Sequence, residues 1–166
     1  MNARLRSAAI VAAVVALDRL TKLYIRAHVS SFDVYPVIPR FFNIVHTENP
    51  GAAFGMLSDS PSQWRSMLLV GVSLAVMTVI GVMLWRTPLE STLTNWGLAL
   101  VFGGALGNVV DRMFRGTVTD FLQFFFGPYE FPSFNAADSA ITIGAGLLIV
   151  DLWNTRRSRT ASLRRG

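Results

Sequence analysis

The sequence predicts an all-α integral membrane protein with four transmembrane helices, a small outer β-structure and a short interfacial helix. Three observations lead to this fold class. The chain of 166 residues is 52% hydrophobic and only 15% charged, whereas soluble domains carry about 25% charged residues. Its apolar residues form four segments, and a cluster of arginines follows the last of them. We therefore expect a single polytopic membrane domain at residues 1–155 and a basic cytoplasmic tail at 156–166.

Four apolar runs predict the helices, because a membrane-spanning helix needs about 20 mostly apolar residues. The second run, Met67–Trp85, contains no charged residue. The first run begins like a signal peptide, but no small-residue cleavage site follows it, so we interpret it as a helix. Charged residues interrupt that run after Leu17. The predicted helices cover residues 7–25, 66–85, 93–112 and 137–154.

The distribution of arginines predicts the orientation of these helices, since basic residues are enriched in cytoplasmic loops. If four helices span, both chain ends and the loop at 86–92 share one side, which we expect to be cytoplasmic. The connections at 26–65 and 112–136 are then extracytoplasmic, although they also carry arginines. The pI near 10.7 therefore reflects topology, and no nucleic-acid partner is expected. The arginines on the cytoplasmic side are Arg4, Arg6, Arg86, Arg156, Arg157, Arg159, Arg164 and Arg165.

The first outer connection is predicted to form short strands and turns over residues 32–57. This region is rich in Val, Ile, Phe and Tyr and is punctuated by Pro and Gly. The stretch SDSPSQWRS at 58–66 is predicted to be a short interfacial helix, with Trp64 and Arg65 at the level of the lipid headgroups. A second extended-looking run, GTVTDFLQF, follows the third helix.

The residue types present narrow the possible chemistry. The chain has no cysteine, which excludes a thiolate nucleophile and a cysteine metal site. Its two histidines, His28 and His46, lack the spacing of a zinc site and are interpreted as loop residues. Glu48 is interpreted as a solvated turn residue, and Asp151 as an interfacial partner of the tail arginines. No metal or cofactor is expected, and the remaining candidates are carboxylates.

Two polar groups lie on predicted helix faces. Asp18 and Lys22 are four residues apart and can pair, either as an interfacial ion pair or as part of a site. The second group ends the third helix and can form a polar clamp, in which Asp111 pairs with Arg112 or holds another group. Small residues before it permit close helix approach. The members of this second group are Asn108, Asp111 and Arg112, preceded by Gly103, Gly104 and Gly107.

Asp120 and Asp138 are candidates for an acid–base pair at the outer membrane surface. Asn135 can cap the fourth helix, three residues before Asp138. Two carboxylates in a cleft of low dielectric cannot both ionise easily, so such a pair contains an acid and a base. An ion pathway and a purely structural clamp stay open as alternatives from the residues alone. An ion pathway would stagger its acidic residues through the membrane, whereas these aspartates cluster towards one surface.

Five motifs, taken in order, resemble the lipoprotein signal peptidase family, also called signal peptidase II. The resemblance runs from about residue 10 to residue 153, and five ordered motifs in a chain of this size are specific. The motifs are Asp18-x-x-Thr21-Lys22, Asn49-x-Gly51-Ala52-Ala53-Phe54-Gly55, Gly103-Gly104-Ala105-Leu106-Gly107-Asn108-x-x-Asp111-Arg112, Val118-x-Asp120-Phe121 and Phe134-Asn135-x-Ala137-Asp138-Ser139.

This resemblance implies an intramembrane aspartyl endopeptidase of the bacterial cytoplasmic (inner) membrane. Such an enzyme removes the signal peptide from prolipoproteins that carry a diacylglyceryl group on the lipobox cysteine. The implied partners are this substrate and membrane lipids. A monomer suffices, because one chain holds all the proposed polar site residues. The family's extracytoplasmic β-cradle corresponds to the strand-like region at 32–57.

The resemblance also implies roles for individual residues. Asp120 and Asp138 would be the catalytic dyad. The chain departs from the family pattern at Thr119 and Ala136, where an aliphatic and a bulkier residue are usual, and Thr119 could donate a hydrogen bond to Asp120. The implied substrate-binding or site-organising residues are Asn49, Gly51, Asn108, Arg112, Asn135 and Ala137, and the implied supporting residues are Asp18, Lys22 and Asp111.

Overall fold

A computed structural model of the chain describes residues 3–51, 62–88 and 91–163. Within these ranges four long helices alternate with four strands, which come in pairs after the first and third helices. The elements are α1 (Ala3–His28), β1 (Val34–Ile38), β2 (Phe42–Asn49), α2 (Ser62–Arg86), α3 (Thr92–Arg115), β3 (Val118–Phe126), β4 (Tyr129–Phe134) and α4 (Ala136–Leu163).

Helix α3 is the centre of the bundle, since it contacts α1, α2 and α4. Small residues let it approach α4 closely: a Cβ atom built on Gly144 would lie 2.6 Å from the backbone oxygen of Gly97. The predicted close packing at the glycines near the end of α3 is also present, because Gly103 faces Val14 of α1 and Gly104 faces Ala137 of α4. Within a bilayer, such backbone contact replaces the hydrophobic effect as the force that joins helices.

Three of the four helices are long and apolar enough to cross a membrane, judged by their length and composition. This confirms the predicted helical membrane fold in its coarse form, and the fourth span stays a prediction. Helix α1 does not meet the same criterion in the described residues, because charged side chains recur along its second half. The three candidate spans are Met67–Arg86, Thr92–Arg115 and Ala136–Thr155.

The outer β-structure is one antiparallel sheet in the order β1-β2-β3-β4. The prediction at 32–57 accounts only for β1 and β2, and residues 52–57 lie outside the described residues. The other two strands, β3 and β4, come from the connection at 112–136, and β4 was not predicted. In the centre of the sheet, Thr47 of β2 is paired with Asp120 of β3, and Glu48 is paired with Thr119. The sheet therefore unites the two connections at one end of the bundle.

Other helix boundaries also differ from the predicted ones. Of the predicted interfacial helix at 58–66, residues 58–61 lie outside the described residues, and residues 62–66 form the first turns of α2. Helix α4 extends to Leu163, well beyond residue 154, so part of the predicted tail is helical. Helix α3 ends at Arg115 because Gly116 adopts the left-handed conformation (φ 76°) of a C-terminal cap.

We expect the substitution Gly144→Ala to weaken the packing of α3 against α4. The added methyl would also lie 2.8 Å from Val101 Cγ2, so the helices must separate, at a cost of about 1–3 kcal/mol. Thermal unfolding of the detergent-solubilised protein measures this loss. Gly146→Ala is the matched control on the same helix, since nothing lies within 4 Å of its Cβ position. Equal midpoints for the two variants would contradict the packing argument.

Candidate active site

A fully buried lysine links the polar side chains of α1 and α3. Lys22 Nζ lies 2.8 Å from Asp18 Oδ2, 2.9 Å from Asp111 Oδ2 and 3.0 Å from Asn108 Oδ1, to which it donates a hydrogen bond. The predicted Asp18–Lys22 pair is therefore present. Because a buried ammonium is costly unless it is paired and hydrogen-bonded, these partners must stay in place around it.

Asp111 pairs with three cations of α1 and not with Arg112. Its Oδ1 lies 3.3 Å from Arg19 Nη1 and 3.0 Å from Arg26 Nη2, while Oδ2 faces Lys22. The three cations are three and four residues apart and so share one helix face. Of the two predicted possibilities, pairing with Arg112 or holding another group, the structure contains the second.

The start of α4 is attached to the same network. Asp18 Oδ1 accepts a hydrogen bond of 3.1 Å from the backbone N–H of Ala137, one of the N-terminal amides that a helix leaves unpaired. Asn108 Nδ2 donates to Asp138 Oδ1 over 2.7 Å. Ala137 thus contributes its backbone amide, and Asn108 connects Lys22 to Asp138.

Asn135 caps α4 and joins the two aspartates of the predicted dyad. Its Oδ1 accepts from the backbone N–H of Asp138 (3.0 Å), and Asp138 Oδ2 accepts from the backbone N–H of Asn135 (3.2 Å). This reciprocal arrangement is a capping box, which the three-residue spacing predicted in part. The Nδ2 group of the same asparagine donates to Asp120 Oδ1 over 2.7 Å. One fully buried side chain therefore sets the relative position of both carboxylates.

Asp120 lies near the start of β3, with only 3% of its surface exposed. Asn49 Nδ2 donates to its Oδ2 over 2.9 Å. The orientation of the Asn49 amide is set by Gly51, whose backbone N–H donates to Asn49 Oδ1 over 2.8 Å from a turn with φ of 89°. Such a φ angle favours glycine. Residues Ala52–Gly55 of the same motif lie outside the described residues.

The environment of Asp120 favours its protonated form. Burial raises the pKa of Asp120, as does the neighbouring charge of Asp138, and together they outweigh the hydrogen bonds from Asn49 and Asn135, so that the pKa is about 6. Asp138 is half-buried and accepts hydrogen bonds on both oxygens. The two carboxylates therefore differ in surroundings, which is how one pair can supply both an acid and a base.

Arg112 is half-buried beside this pair, and its charge interacts with Asp138 and Asp120. Its Nε atom is buried and has no hydrogen-bond partner among the described residues. Arginine donors are rarely left unpaired inside a protein, so this Nε–H is a donor that the described contacts leave unused. Across the described ranges, no group of three or more His, Asp or Glu side chains could hold a metal ion.

The sequence reasoning missed a polar cluster around Glu48. This residue lies in β2 and is half-buried, which contradicts its interpretation as a solvated turn residue. Thr119 donates its hydroxyl hydrogen to Glu48 Oε1 over 2.8 Å and accepts from Arg26 Nε, also at 2.8 Å. The suggested hydrogen bond from Thr119 to Asp120 is not the one formed. The only sequence signal for this cluster is the alternation of side chains along a strand. Glu48 and Thr119 each stand next to a predicted site residue, Asn49 and Asp120, and therefore point to the opposite face of the sheet.

Asp151 also has a partner that was not predicted. The Thr94 hydroxyl donates to its Oδ2 over 2.5 Å, which joins α3 to α4 at the end far from the sheet. The partner of Asp151 among the described residues is therefore Thr94 of α3, whereas the sequence predicted the tail arginines.

Comparison with known proteins identifies relatives that match most of the chain. A protein-family model described as signal peptidase (SPase) II matches residues 10–154. The lipoprotein signal peptidase of Solibacter usitatus (strain Ellin6076) is 46% identical over 154 residues, which cover 93% of this chain and 94% of the relative. The lipoprotein signal peptidase of Yersinia pestis (strain Pestoides F) is 42% identical over 138 residues, which cover 83% and 80% of the two chains.

Two solved structures of bacterial membrane enzymes, obtained by the in meso method, share the fold. The one at 2.3 Å resolution superposes with a TM-score of 0.79 at 33% identity, covering 90% of this chain and 88% of the other. The one at 1.9 Å resolution has the same TM-score and identity, with 89% and 92% covered.

We expect Lys22→Met to destabilise the protein strongly. The substitution leaves the carboxylates of Asp18 and Asp111 buried without their shared cation, at a cost of about 3–5 kcal/mol. Arg19→Gln is the matched control, because its side chain is 47% exposed and its pair with Asp111 contributes less than about 1 kcal/mol. Thermal unfolding in detergent distinguishes the two. Similar small losses in both variants would show that Lys22 is not the centre of the network.

We also expect Asp120→Asn to change how stability depends on pH. The pKa of Asp120 is about 6 in the native state, against an ordinary pKa of 3.8, so the native protein retains a proton that the unfolded chain releases. Stability due to this group is highest below pH 3.8 and is lost as the pH rises to about 6, in total on the order of 3 kcal/mol. Unfolding midpoints at pH 4.5 and 7.5 should therefore differ less in the variant than in the wild type.

The exposed Asp33 provides the control for this measurement. Asp33→Asn should keep the pH dependence of the wild type. The same pH dependence in Asp120→Asn and the wild type would contradict a raised pKa at Asp120.

Proposed function

The chain belongs to the signal peptidase II family, and we propose that it is an intramembrane aspartyl endopeptidase acting on diacylglyceryl-modified prolipoproteins. Membership rests on the family match over residues 10–154 and on relatives named lipoprotein signal peptidase at 42–46% identity. The family makes the chain a membrane protease. The aspartyl mechanism, the cleavage position on the N-terminal side of the lipidated cysteine and the topology are the finer parts of the proposal.

One observation carries the mechanism: Asn135 holds Asp120 and Asp138 together, each from a different secondary-structure element. The pair lies where the sheet meets the helix bundle, and Asn135 donates a hydrogen bond to each of the two carboxylates. The other buried aspartates, Asp18 and Asp111, are paired with cations. Their pairing fits a supporting role better than an ion relay, which needs groups free to exchange protons.

The surroundings of the two aspartates suggest which one is the acid. Because burial raises the pKa of Asp120 to about 6, we assign the shared proton to Asp120 and the role of base to Asp138. As Asp138 takes a proton from water, the water oxygen attacks the scissile carbonyl carbon, and protonated Asp120 donates to the carbonyl oxygen. The C–N bond then breaks as Asp138 gives its proton to the leaving nitrogen, and Asp120 recovers a proton from the tetrahedral intermediate.

Two further side chains have donors directed to this region. Arg112 is half-buried beside the dyad and its charge interacts with both aspartates, so its guanidinium can bind a peptide carbonyl there. Asn49 holds Asp120 from the sheet side. The preorganised donors reduce the reorganisation needed as charge develops on the carbonyl oxygen.

The substrate's acyl chains would lie against the apolar helix surfaces, since α2 exposes large apolar side chains along most of its length. We propose that α1 is the fourth span, because the charges in its second half are neutralised by Asp111 and by Asp18. Four spans place both termini on the cytoplasmic side and the dyad near the extracytoplasmic surface of the bacterial inner membrane. A monomer holds every side chain named in the mechanism.

We expect Asp120→Asn and Asp138→Asn each to abolish cleavage of a diacylglyceryl-modified prolipoprotein peptide by the purified protein in detergent. Either substitution removes the acid or the base, which contributes about 10²–10⁴-fold each. Asp33→Asn, an exposed carboxylate on the sheet side, should cleave at the wild-type rate. Cleavage by the wild type should also survive a metal chelator. Near-normal turnover in either dyad variant would refute the aspartyl mechanism, and loss of activity in chelator would indicate a metal instead.

A further inference from the structure

A second polar cluster lies next to the dyad and is centred on the carboxylate of Glu48. Its Oε1 accepts from Thr119 Oγ1 (2.8 Å) and lies 3.1 Å from His46 Nε2, and its Oε2 accepts from Thr117 Oγ1 (2.6 Å). Two arginines approach the same Oε1, Arg26 Nε at 4.0 Å and Arg115 Nη2 at 3.9 Å. No step of the proposed mechanism uses any of these side chains.

The Glu48 carboxylate is held as an anion. Burial alone would raise the pKa of Glu48, but hydrogen bonds from Thr117, His46 and Thr119 and the charge of Arg115 outweigh it, so the pKa lies below its ordinary 4.5. A charged acceptor forms stronger hydrogen bonds than a neutral one. The cluster is therefore a group of charge-assisted contacts.

These contacts connect β2 and β3 to α1 and α3. His46 and Glu48 belong to β2, which continues to Asn49. His46 Nδ1 lies 2.8 Å from the backbone oxygen of Val29, just after α1. Arg26 of α1 donates to Thr119 of β3 and, through Nη2, pairs with Asp111 of α3. The cluster thus joins the strand pair that carries Asp120 to the helices whose network holds Asp138.

Glu48 lies on the strand face opposite to the dyad. Successive side chains of a strand point to opposite faces, so Glu48 and Thr119 lie on the face opposite Asn49 and Asp120. Glu48 pairs with Thr119 across the strands, directly beside the Thr47–Asp120 pair. Any shift in that register moves the Asp120 carboxylate relative to Asn49 and Asn135.

We propose that Glu48 is a positioning residue for peptide cleavage, which acts through Thr119 and Arg26 to hold Asp120 in register with Asp138. The proposal rests on the proposed function and adds residues to it. It also assigns a purpose to the hydroxyl of Thr119. In this chain the hydroxyl hydrogen goes to Glu48, and the hydroxyl oxygen receives the Arg26 hydrogen bond.

The experiment compares Glu48→Gln, Thr119→Val and Thr119→Ser in cleavage of a diacylglyceryl-modified prolipoprotein peptide in detergent. Glu48→Gln and Thr119→Val should lower kcat about ten- to a hundredfold while KM stays within about twofold, because a small misplacement of a catalytic group has that effect on turnover. Thr119→Ser keeps the hydroxyl and should restore the wild-type kcat. Glu130→Gln is the matched control, since Glu130 is an exposed glutamate of the same sheet.

Unfolding midpoints and the folded fraction at the assay temperature are measured for each variant. A loss of kcat that merely follows the loss of folded protein would overturn the positioning role, as would wild-type kcat in both Glu48→Gln and Thr119→Val. Equal losses in Thr119→Ser and Thr119→Val would overturn the role of the hydroxyl. If Glu48→Gln does not fold, the two Thr119 variants decide. Failure of the folded wild type to cleave would refute the proposed function itself, which separates the two hypotheses.

Discussion

The structure depends on one buried ammonium group, that of Lys22. Its contacts with Asp18, Asp111 and Asn108 join α1 to α3. Asp18 and Asn108 then reach the first turn of α4, through the Ala137 amide and the Asp138 carboxylate. In a low-dielectric interior, a charge without these partners would cost several kcal/mol, so the three helices are restricted to positions that satisfy it. The same restriction positions Asp138.

The second carboxylate of the dyad, that of Asp120, is positioned by a different set of contacts. Asp120 belongs to a strand, and its position follows from the register of β2 with β3 as well as from the hydrogen bonds of Asn49 and Asn135. Asn135 belongs to both sets of contacts, since it caps α4 and also links the two carboxylates. A dyad built from a strand and a helix needs both the sheet and the bundle to be in place, which explains why so many polar contacts connect them.

The polar network also explains the unusual composition of α1. Along its second half, Arg19, Lys22 and Arg26 occupy one face, and all three approach Asp111. Hydropathy alone therefore does not identify α1 as a candidate span, although its charges are compensated by its neighbour. A hydropathy average counts each charged residue separately. The free-energy cost of a charge inside a membrane, however, depends on whether it is paired with an opposite charge.

Features that depend on neighbouring residues could be predicted from the amino-acid sequence. The apolar runs predicted α2, α3 and α4, because a helix forms all its backbone hydrogen bonds within its own segment. The spacing of Asp18 and Lys22 predicted their ion pair, and the spacing of Asn135 and Asp138 predicted the helix cap. The ordered motifs identified the family. Tertiary structure decided the rest: the three cations around Asp111, the pairing of β4 in the sheet and the burial of Glu48. Those partners are far apart in the chain, and side chains that can pair in many ways are assigned to one another only when the helices pack and the strands take their register.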